Sequence, residues 1–407
     1  MRILVVSQYF WPEDFRINDL CKEFQALGHE VTILTGVPNY PAGKIFDEYS
    51  DNPAGFKLFA GMDVIRVPIM SRGKSSIRLL LNYLSFALLG SIIGPLVLRK
   101  KQFDVIFVCQ LSPITVAIPA IVLKRLKKIP LVMWSLDLWP DSVRAVGKGK
   151  SDVIYTALAA LVKFIYRRCD LIAGQSTEYL SCIQELDDSR TKTMIFPNWA
   201  EELFQVSNVE RTNAERPFTV LFAGNIGEAQ DFDSIVSAAK ILKERKLNMV
   251  FSIVGDGSKY QWLKNAVQQF GLEKYFVLHG RYPLSEMPKF YNSADAALLC
   301  LKSSKIFEVT VPGKLQSYMM SKLPVLAMIN GAGGRLVDLS ECGYSCAASD
   351  FVSLANNIEQ MLSLGTKELN QLGNNGLEYA TKHFSRNELV HSLCKEMQHL
   401  VDEGYRA

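Results

Sequence analysis

The chain has 407 residues, enough for about two or three domains with sizeable cores. Hydrophobic residues make up 48% and charged residues 21%, which excludes a disordered chain, and 26 glycines with 16 prolines are too scattered for a fibrous repeat. The formal net charge is only +4, but residues 1–200 carry 24 Lys+Arg against 18 Asp+Glu and the remainder 21 against 23, so a basic first half precedes a near-neutral second.

The opening reads as a βαβ unit: strand Ile3–Ser7, a loop through Trp11-Pro12, an amphipathic helix Asn18–Leu27 stopped by Gly28, and strand Val31–Leu34. Met1-Arg2 leads into an apolar run too short for a signal h-region, so the run is expected to be a buried strand. Leu79–Leu98 is the most apolar window of the chain. Arg72, Lys74 and Arg78 precede it and Arg99-Lys100-Lys101 follow. About 20 residues can span a bilayer, but the sheet pattern resumes at Val105, and a span would divide one α/β domain between compartments. The preferred expectation for segment 77–101 is a helix on or dipping into a membrane surface, with Lys124-Arg125 and Lys127-Lys128 adding charge; a buried core helix pair and a true span stay open.

Strand Val105–Cys109, helix Ile114–Leu126, strand Leu131–Trp134, helix Ile154–Cys169 and short strands at 171–173 and 194–196 complete the first series. The polar segment Glu201–Arg216 is the linker candidate. A second series follows: strands 219–223, 249–254, 277–279, 296–300 and 325–328, with helices 232–245, 259–270, 284–294 and 314–321 between them. Two consecutive doubly wound α/β domains are expected, 1–200 and 217–385, with a last helical stretch in 386–407.

Candidate chemistry sits at the predicted strand ends. Gly224-Asn225-Ile226-Gly227 and Val254-Gly255-Asp256-Gly257 are small-residue turns that allow backbone to approach a ligand, although tight β–α turns use glycine for structural reasons too. Neither is a GxGxxG fingerprint, which disfavours a nicotinamide-type dinucleotide. Pro312-Gly313-Lys314 opens a helix whose free N–H groups favour an anion, and Lys302, Lys305 and Arg281 lie in the same domain. Asn330–Arg335 is a glycine loop that could close over a ligand or be ordinary surface. In the first domain Asp14 and Arg16, Asn39-Tyr40-Pro41, and Asp137 and Asp141 around Trp139-Pro140 follow strands; an Asp there could orient a hydroxyl, act as a base, or merely cap a helix. No CxxC or HxxxH pair points to a metal, reduced thiols are expected for the eight cysteines, and no basic stripe with interleaved aromatics points to nucleic acid.

Across nearly its whole length the chain resembles the GT-B-fold, retaining glycosyltransferases of family 4. The likeness is greatest to the bacterial O-antigen and capsule branch that includes L-N-acetylfucosamine transferases. The carriers are Tyr9-Phe10-Trp11-Pro12-Glu13, Gly28-His29-Glu30, Pro38-Asn39-Tyr40-Pro41, Asp137-Leu138-Trp139-Pro140-Asp141, Pro197-Asn198-Trp199, the two glycine turns, and Val311-Pro312-Gly313-Lys314-Leu315-Gln316-Ser317-Tyr318.

The resemblance implies two Rossmann-like domains facing a cleft. The second would bind a nucleotide-sugar donor, UDP first, through Gly224, Asn225, Gly227, Gln230, Gly255, Gly257, Arg281, Lys305 and 313–316. The first would bind a polyprenyl-diphosphate-linked saccharide acceptor through Asn39, Tyr40, Trp139 and Asn198, with Asp137, Asp14 and Arg16 as catalytic candidates. It implies no metal cofactor, a place on the cytoplasmic face of the inner membrane, and a last helix that crosses back to the first domain. The chain departs from the family pattern in four respects: Asn225 and Gln230 stand where phosphate-binding Arg and Lys are usual, Ser317 and Val309 stand at the two glutamates of the E-x7-E motif, Lys322 stands where a glycine is expected before Pro324, and no acceptor-side His is present. Lys314, the 313–315 amides and Arg281 are the expected replacements. A nucleotide-sugar 2-epimerase of the same fold and an inactive scaffold are the alternatives.

Overall fold

The computed structural model describes residues 1–73, 75–145, 152–187, 191–200, 202–204 and 216–404. Lys74 and most of the candidate linker 201–216 lie outside the described residues. The chain divides into two compact units, Met1–Phe196 with Asn387–Ala407, and Pro197–Arg386.

The first unit holds β1 (Arg2–Val6), β2 (Glu30–Gly36), β3 (Leu58–Phe59), β4 (Met62–Val67), β5 (Val105–Gln110), β6 (Leu131–Ser135), β7 (Leu171–Gly174) and β8 (Lys192–Ile195). They form one sheet in the order β3-β4-β2-β1-β5-β6-β7-β8, parallel throughout except for the β3–β4 pair. β1 is central: Ile3 pairs with Val31 on one side and Val105 on the other, and β1, β2, β5 and β6 are buried on both faces almost throughout. That is why these strands read as continuous Val/Ile/Leu runs. The β3–β4 hairpin escapes the sequence pattern because Asp63 and Arg66 interrupt β4. The last helix, Arg386–Glu403, packs within this unit, where Glu396 pairs with Lys192 of β8 at 2.8 Å.

The helix Ser76–Leu98 is two-sided. Asn82, Phe86, Ala87, Gly90, Gly94 and Leu98 are buried, and a Cβ at Gly90 would stand 2.8 Å from Pro119 of the helix Ala117–Lys127. Its other side presents Ile77, Leu88 and Leu96 at 73%, 63% and 64% exposure. Its most apolar window has mean hydropathy 1.8 and is 28% buried. The expected basic cluster at 124–128 is partly internal. Lys124 is buried against the Asp170 carboxylate at 2.7 Å, and Lys127 Nζ donates to the carbonyls of Leu98, Arg99 and Lys101 that end the apolar helix. Arg99, Lys100, Arg125 and Lys128 stay exposed.

The second unit holds β9 (Phe218–Ala223), β10 (Met249–Val254), β11 (Phe276–Gly280), β12 (Ala296–Cys300), β13 (Val325–Met328) and β14 (Gly343–Cys346) in the order β11-β10-β9-β12-β13-β14. This is the doubly wound order 3-2-1-4-5-6. Alternate residues of β9 feed two cores: Val220 and Phe222 pack with the helix Phe232–Glu244, Leu221 and Ala223 with the helix Gly313–Met320. The loop expected at 330–335 is a loop only to Gly331. Ala332–Leu339 is helical, and Gly333 and Gly334 are buried where a Cβ would meet Ile329 at 2.5 and 3.0 Å. These glycines serve close packing, not a lid.

Candidate functional site

Among the described residues, each unit has a pocket at the C-terminal ends of its strands, where open parallel sheets present loops and helix starts to ligands. The second unit's pocket, about 470 Å³, is lined by Gly224 and Asn225 after β9, Val254–Gly257 at the end of β10, and Arg281, Tyr282 and Met287 after β11. Its floor is two backbone loops bonded to each other, Gly224 N donating to Val254 O (2.8 Å) and Ile226 N to Asp256 O (2.9 Å), while Gly255 N ties the second loop to Gly280 O at the end of β11 (2.8 Å). A Cβ at Gly255, where φ is +148°, would fall 1.8 Å from Gly224 O. The glycine is therefore demanded by backbone crossing backbone. Gly257 N is taken by the Asp256 carboxylate (2.7 Å), and Gly227 N by Gln230 Oε1 (3.1 Å). Gln230 thus braces the loop and does not line the pocket.

Lys314 is not itself one of the lining residues; it packs against the Gly224 turn from the start of the helix Gly313–Met320. A Cβ at Gly224 would stand 2.5 Å from its Cε and 2.6 Å from its Nζ. The ammonium sits 3.9 Å above the ring of Phe222, a cation–π contact, with no carboxylate in ion-pair reach among the described residues. Burial lowers its pKa from 10.5 to about 8, and the Cys300 thiol opposes that slightly. A cation that burial has stripped of water and that has no counter-ion favours an arriving anion.

Two neighbours expected to bind the donor are turned away from the pocket. Leu315 is fully buried and its amide is spent on Pro312 O (3.0 Å). Gln316 is also fully buried; with its amide nitrogen turned toward the helix start it donates to Gly313 O (2.9 Å) and Pro312 O (3.0 Å). Both sit on the core face of the helix, one and two residues beyond Lys314. Lys305 is exposed on the short helix Lys305–Val309 and does not line the pocket, and Lys302 reaches Glu228 at 3.5 Å. Glu308, beside the first motif position, accepts from Ser303 Oγ (3.2 Å) and Asn330 Nδ2 (3.4 Å).

The first unit's pocket, about 620 Å³, is lined by Tyr9, Phe15, Tyr40, Arg72, Leu79, Tyr83, Leu111, Ser112, Asp137, Trp139, Ser142 and Val143. Asp137 follows β6 and accepts from Trp139 Nε1 at 3.1 Å, while its own carbonyl accepts from Gln110 Nε2 at 3.1 Å. Burial raises its carboxyl pKa; the Ser142, Trp139 and Ser112 groups beside it oppose that rise. Tyr9, Tyr40 and Phe15 form a ring cluster with centroids 5.2–5.6 Å apart. Such rings provide the apolar platforms on which a sugar's C–H faces can rest.

Four expected residues of this unit lie elsewhere. Asp14 is exposed and Arg16 half-buried, and neither lines the pocket; Phe15 between them does. Asn39 is fully buried. Its Oδ1 accepts from Arg72 N (3.0 Å) and its Nδ2 donates to Val37 O (2.9 Å), so its polar atoms are spent on the loops. Asn198 falls in the second unit and lines neither pocket. Glu13 of the Trp-Pro-Glu motif is likewise structural: its carboxylate accepts from the amides of Asn39 (2.8 Å), Tyr40 (2.7 Å) and Phe10 (3.1 Å). Arg72 and Tyr83, which sequence reasoning placed in or beside a membrane segment, turn out to be pocket residues.

Residues 15–199 match the family described as Glycosyl transferase 4-like domain, and residues 206–379 match Glycosyl transferases group 1. The chain belongs to the GT-B glycosyltransferases. Among relatives of this glycosyltransferase, WbjE of Pseudomonas aeruginosa, named as a glycosyltransferase, is 30% identical over 253 residues, 57% of this chain and 60% of that protein. WcaI of Escherichia coli K12, named for colanic acid biosynthesis, is 25% identical over 78% of this chain and 81% of that protein. The solved structure of Anabaena HepE in complex with UDP has a TM-score of 0.69 at 14% identity and covers 98% of this chain and all of that one, a likeness of fold.

Proposed function

We propose that this glycosyltransferase moves a sugar from a nucleotide diphosphate donor, UDP in the first instance, to a lipid-linked or oligosaccharide acceptor in bacterial surface-polysaccharide synthesis, with retention of configuration. The resemblance points to an N-acetylated 6-deoxyhexose or N-acetylhexosamine such as L-FucNAc. The observation that carries the donor half is Lys314: a desolvated cation without a counter-ion, packed against the first glycine turn of the pocket. Asn225 and Gln230 hold no charge where the family's cations are usual, and Lys314 reaches the same turn from another element. The HepE complex with UDP, on the same fold, supports the nucleotide.

In this reading the glycosidic oxygen–carbon bond to the diphosphate breaks as the acceptor oxygen bonds to the anomeric carbon. The acceptor proton passes to the departing diphosphate. Lys314, Arg281 and the amides of Gly313 and Lys314 at the helix start meet the developing charge. Asp137 accepts from and orients the acceptor hydroxyl. No step runs through a metal, so EDTA leaves turnover unchanged; a loss that Mg²⁺ restores would refute this.

The apolar side of the helix Ser76–Leu98, with Arg99, Lys100, Arg125 and Lys128 exposed near its end, fits an anionic lipid surface. The opposite side is packed into the unit, which supports a helix lying on the bilayer over one crossing it; the side proposed is the cytoplasmic face. Flotation with phosphatidylglycerol vesicles checks this: protein that stays at the bottom at low salt contradicts it.

The functional test is thermal stabilisation of the full chain by UDP, GDP, dTDP and ADP, followed by donor turnover. Stabilisation by one nucleotide, with turnover dependent on an acceptor, is the expected result. Turnover of donor without acceptor would make the chain an epimerase, and no response to any nucleotide would sink the donor assignment.

A further inference from the structure

Arg72 is the strongest unexplained group outside the donor pocket. It follows β4 and is half-buried, with its guanidinium 5.1 Å from the ring centroid of Tyr40. Its charge acts on the hydroxyls of Tyr9 and Tyr83, both pocket residues. No carboxylate lies within ion-pair distance of it among the described residues. The backbone beneath it is held firmly: Arg72 N donates to Asn39 Oδ1, and the fully buried Asn82 donates to Met70 O (2.6 Å) while accepting from Gln8 Nε2 (2.7 Å). A guanidinium fixed among rings, without a counter-ion, is built to take an oxyanion, and its planar fork suits phosphate.

A second observation bears on what carries that anion. Leu79 and Tyr83 of the helix Ser76–Leu98 line the same pocket. On the same two turns Ile77, Leu80 and Leu84 are 73%, 55% and 48% exposed. The pocket thus combines rings, a cation and an edge of exposed hydrocarbon.

We propose that Arg72 is the phosphate receptor of the first unit's pocket, the residue that grips the acceptor's phosphate and thereby positions the acceptor. This rests on the acceptor half of the proposed function and names the group that recognises it. Arg72 grips the phosphate, the ring cluster and Trp139 take the sugar, and the acceptor's hydrocarbon chain leaves along Leu79 and Leu80. The phosphate fixes the distance from Arg72 to the reacting hydroxyl, so Arg72 is a positioning residue.

The test uses the full chain with UDP present throughout, and three probes: farnesyl diphosphate, inorganic pyrophosphate and dodecyl maltoside. Binding is followed by tryptophan fluorescence and calorimetry for wild type, Arg72→Gln and Arg72→Lys. Arg72→Gln should weaken farnesyl diphosphate about tenfold or more while Arg72→Lys keeps most of the affinity, as expected for loss or retention of a charge-assisted contact. Dodecyl maltoside binding and the UDP thermal shift should not change. Farnesyl diphosphate bound equally by wild type and Arg72→Gln would overturn the proposal. Pyrophosphate bound as tightly as farnesyl diphosphate would also overturn it, because the ligand would then be a soluble phosphate. A wild type that ignores UDP but shows the Arg72 effect would fail the donor reading alone.

Discussion

In the second unit the ligand pocket is walled by backbone, and in the first it is walled by rings. Gly224, Gly255 and Gly257 all have positive φ, and the loops that carry them are zipped together by their own amides. In the first unit Tyr9, Phe15, Tyr40, Tyr83 and Trp139 supply the walls, and polar side chains such as Glu13, Asn39 and Asn82 hold the loops from behind. Two sheets of the same kind therefore present a close-approach floor suited to a diphosphate in one unit and an adaptable aromatic cup in the other. A backbone floor tolerates almost no change, because there is no side chain to move aside. A side-chain cup tolerates changes of shape, and loses function chiefly at its charged groups.

Gly255→Ala should break the comparison most severely. The new Cβ would meet Gly224 O at 1.8 Å at a φ of +148°, so both strain and clash oppose it. A cost of about 3 kcal/mol or more to the second unit is expected, visible as an early urea transition with UDP stabilisation lost. Gly313→Ala is the internal control, since nothing lies within 4 Å of its added Cβ. A Gly255→Ala protein as stable as wild type would mean that the two loops are not zipped as described.

Asp137→Asn tests the other pocket. The amide keeps the shape and the contact with the Trp139 indole, so folding and the UDP thermal shift should not change. Transfer to the acceptor should fall by about 100-fold, the usual scale for loss of a group that handles a hydroxyl proton or its orientation. Because burial raises the carboxyl's pKa, wild-type transfer should fall off on the acid side earlier than for an exposed aspartate. An Asp137→Asn enzyme with full turnover would remove Asp137 from the chemistry and leave Arg72 and the rings as a binding cup only.

The strands were legible because their burial is written as uninterrupted apolar runs; β10, β12 and β13 agree with the pattern residue for residue. β4 was hidden by its charges, and with it the position of Arg72, which only three-dimensional pairing of β4 with β2 brings to the strand ends. The donor glycines were legible as turns, but spacing cannot distinguish a glycine that serves a ligand from one that lets backbone cross backbone, and Gly255 is demonstrably the second. Helix phase explains the errors at 315–316. Lys314 faces the pocket turn, and the next two residues rotate by about 100° each into the core. Asn39 looked like a ligand group because a polar residue at a strand end usually is exposed; here Arg72, Val37 and Asn82 consume it.

Lys314 gives the smallest and most diagnostic effect, because one residue should produce two opposite pH slopes. Its pKa is about 8 in the folded chain against the ordinary 10.5. Between those values the unfolded chain still binds the proton that the folded chain has released. Unfolding then takes up a proton, so the stability of the second unit should rise from pH 8 to 10.5. Below pH 8 both states are protonated and the cost of burying the charge is constant. UDP binding should run the other way. The diphosphate needs the ammonium, so affinity should fall by about tenfold between pH 7 and 9.5 as the proton is lost. Lys314→Met, which keeps the stem over Phe222 and removes the charge, should flatten both slopes and match the weaker high-pH affinity throughout. The measurement is a pair of titrations, melting temperature and UDP affinity against pH, on wild type and variant. Parallel curves for the two proteins would show that the lysine meets neither the solvent penalty nor the donor, and the backbone floor would then have to hold the diphosphate with Arg281 alone.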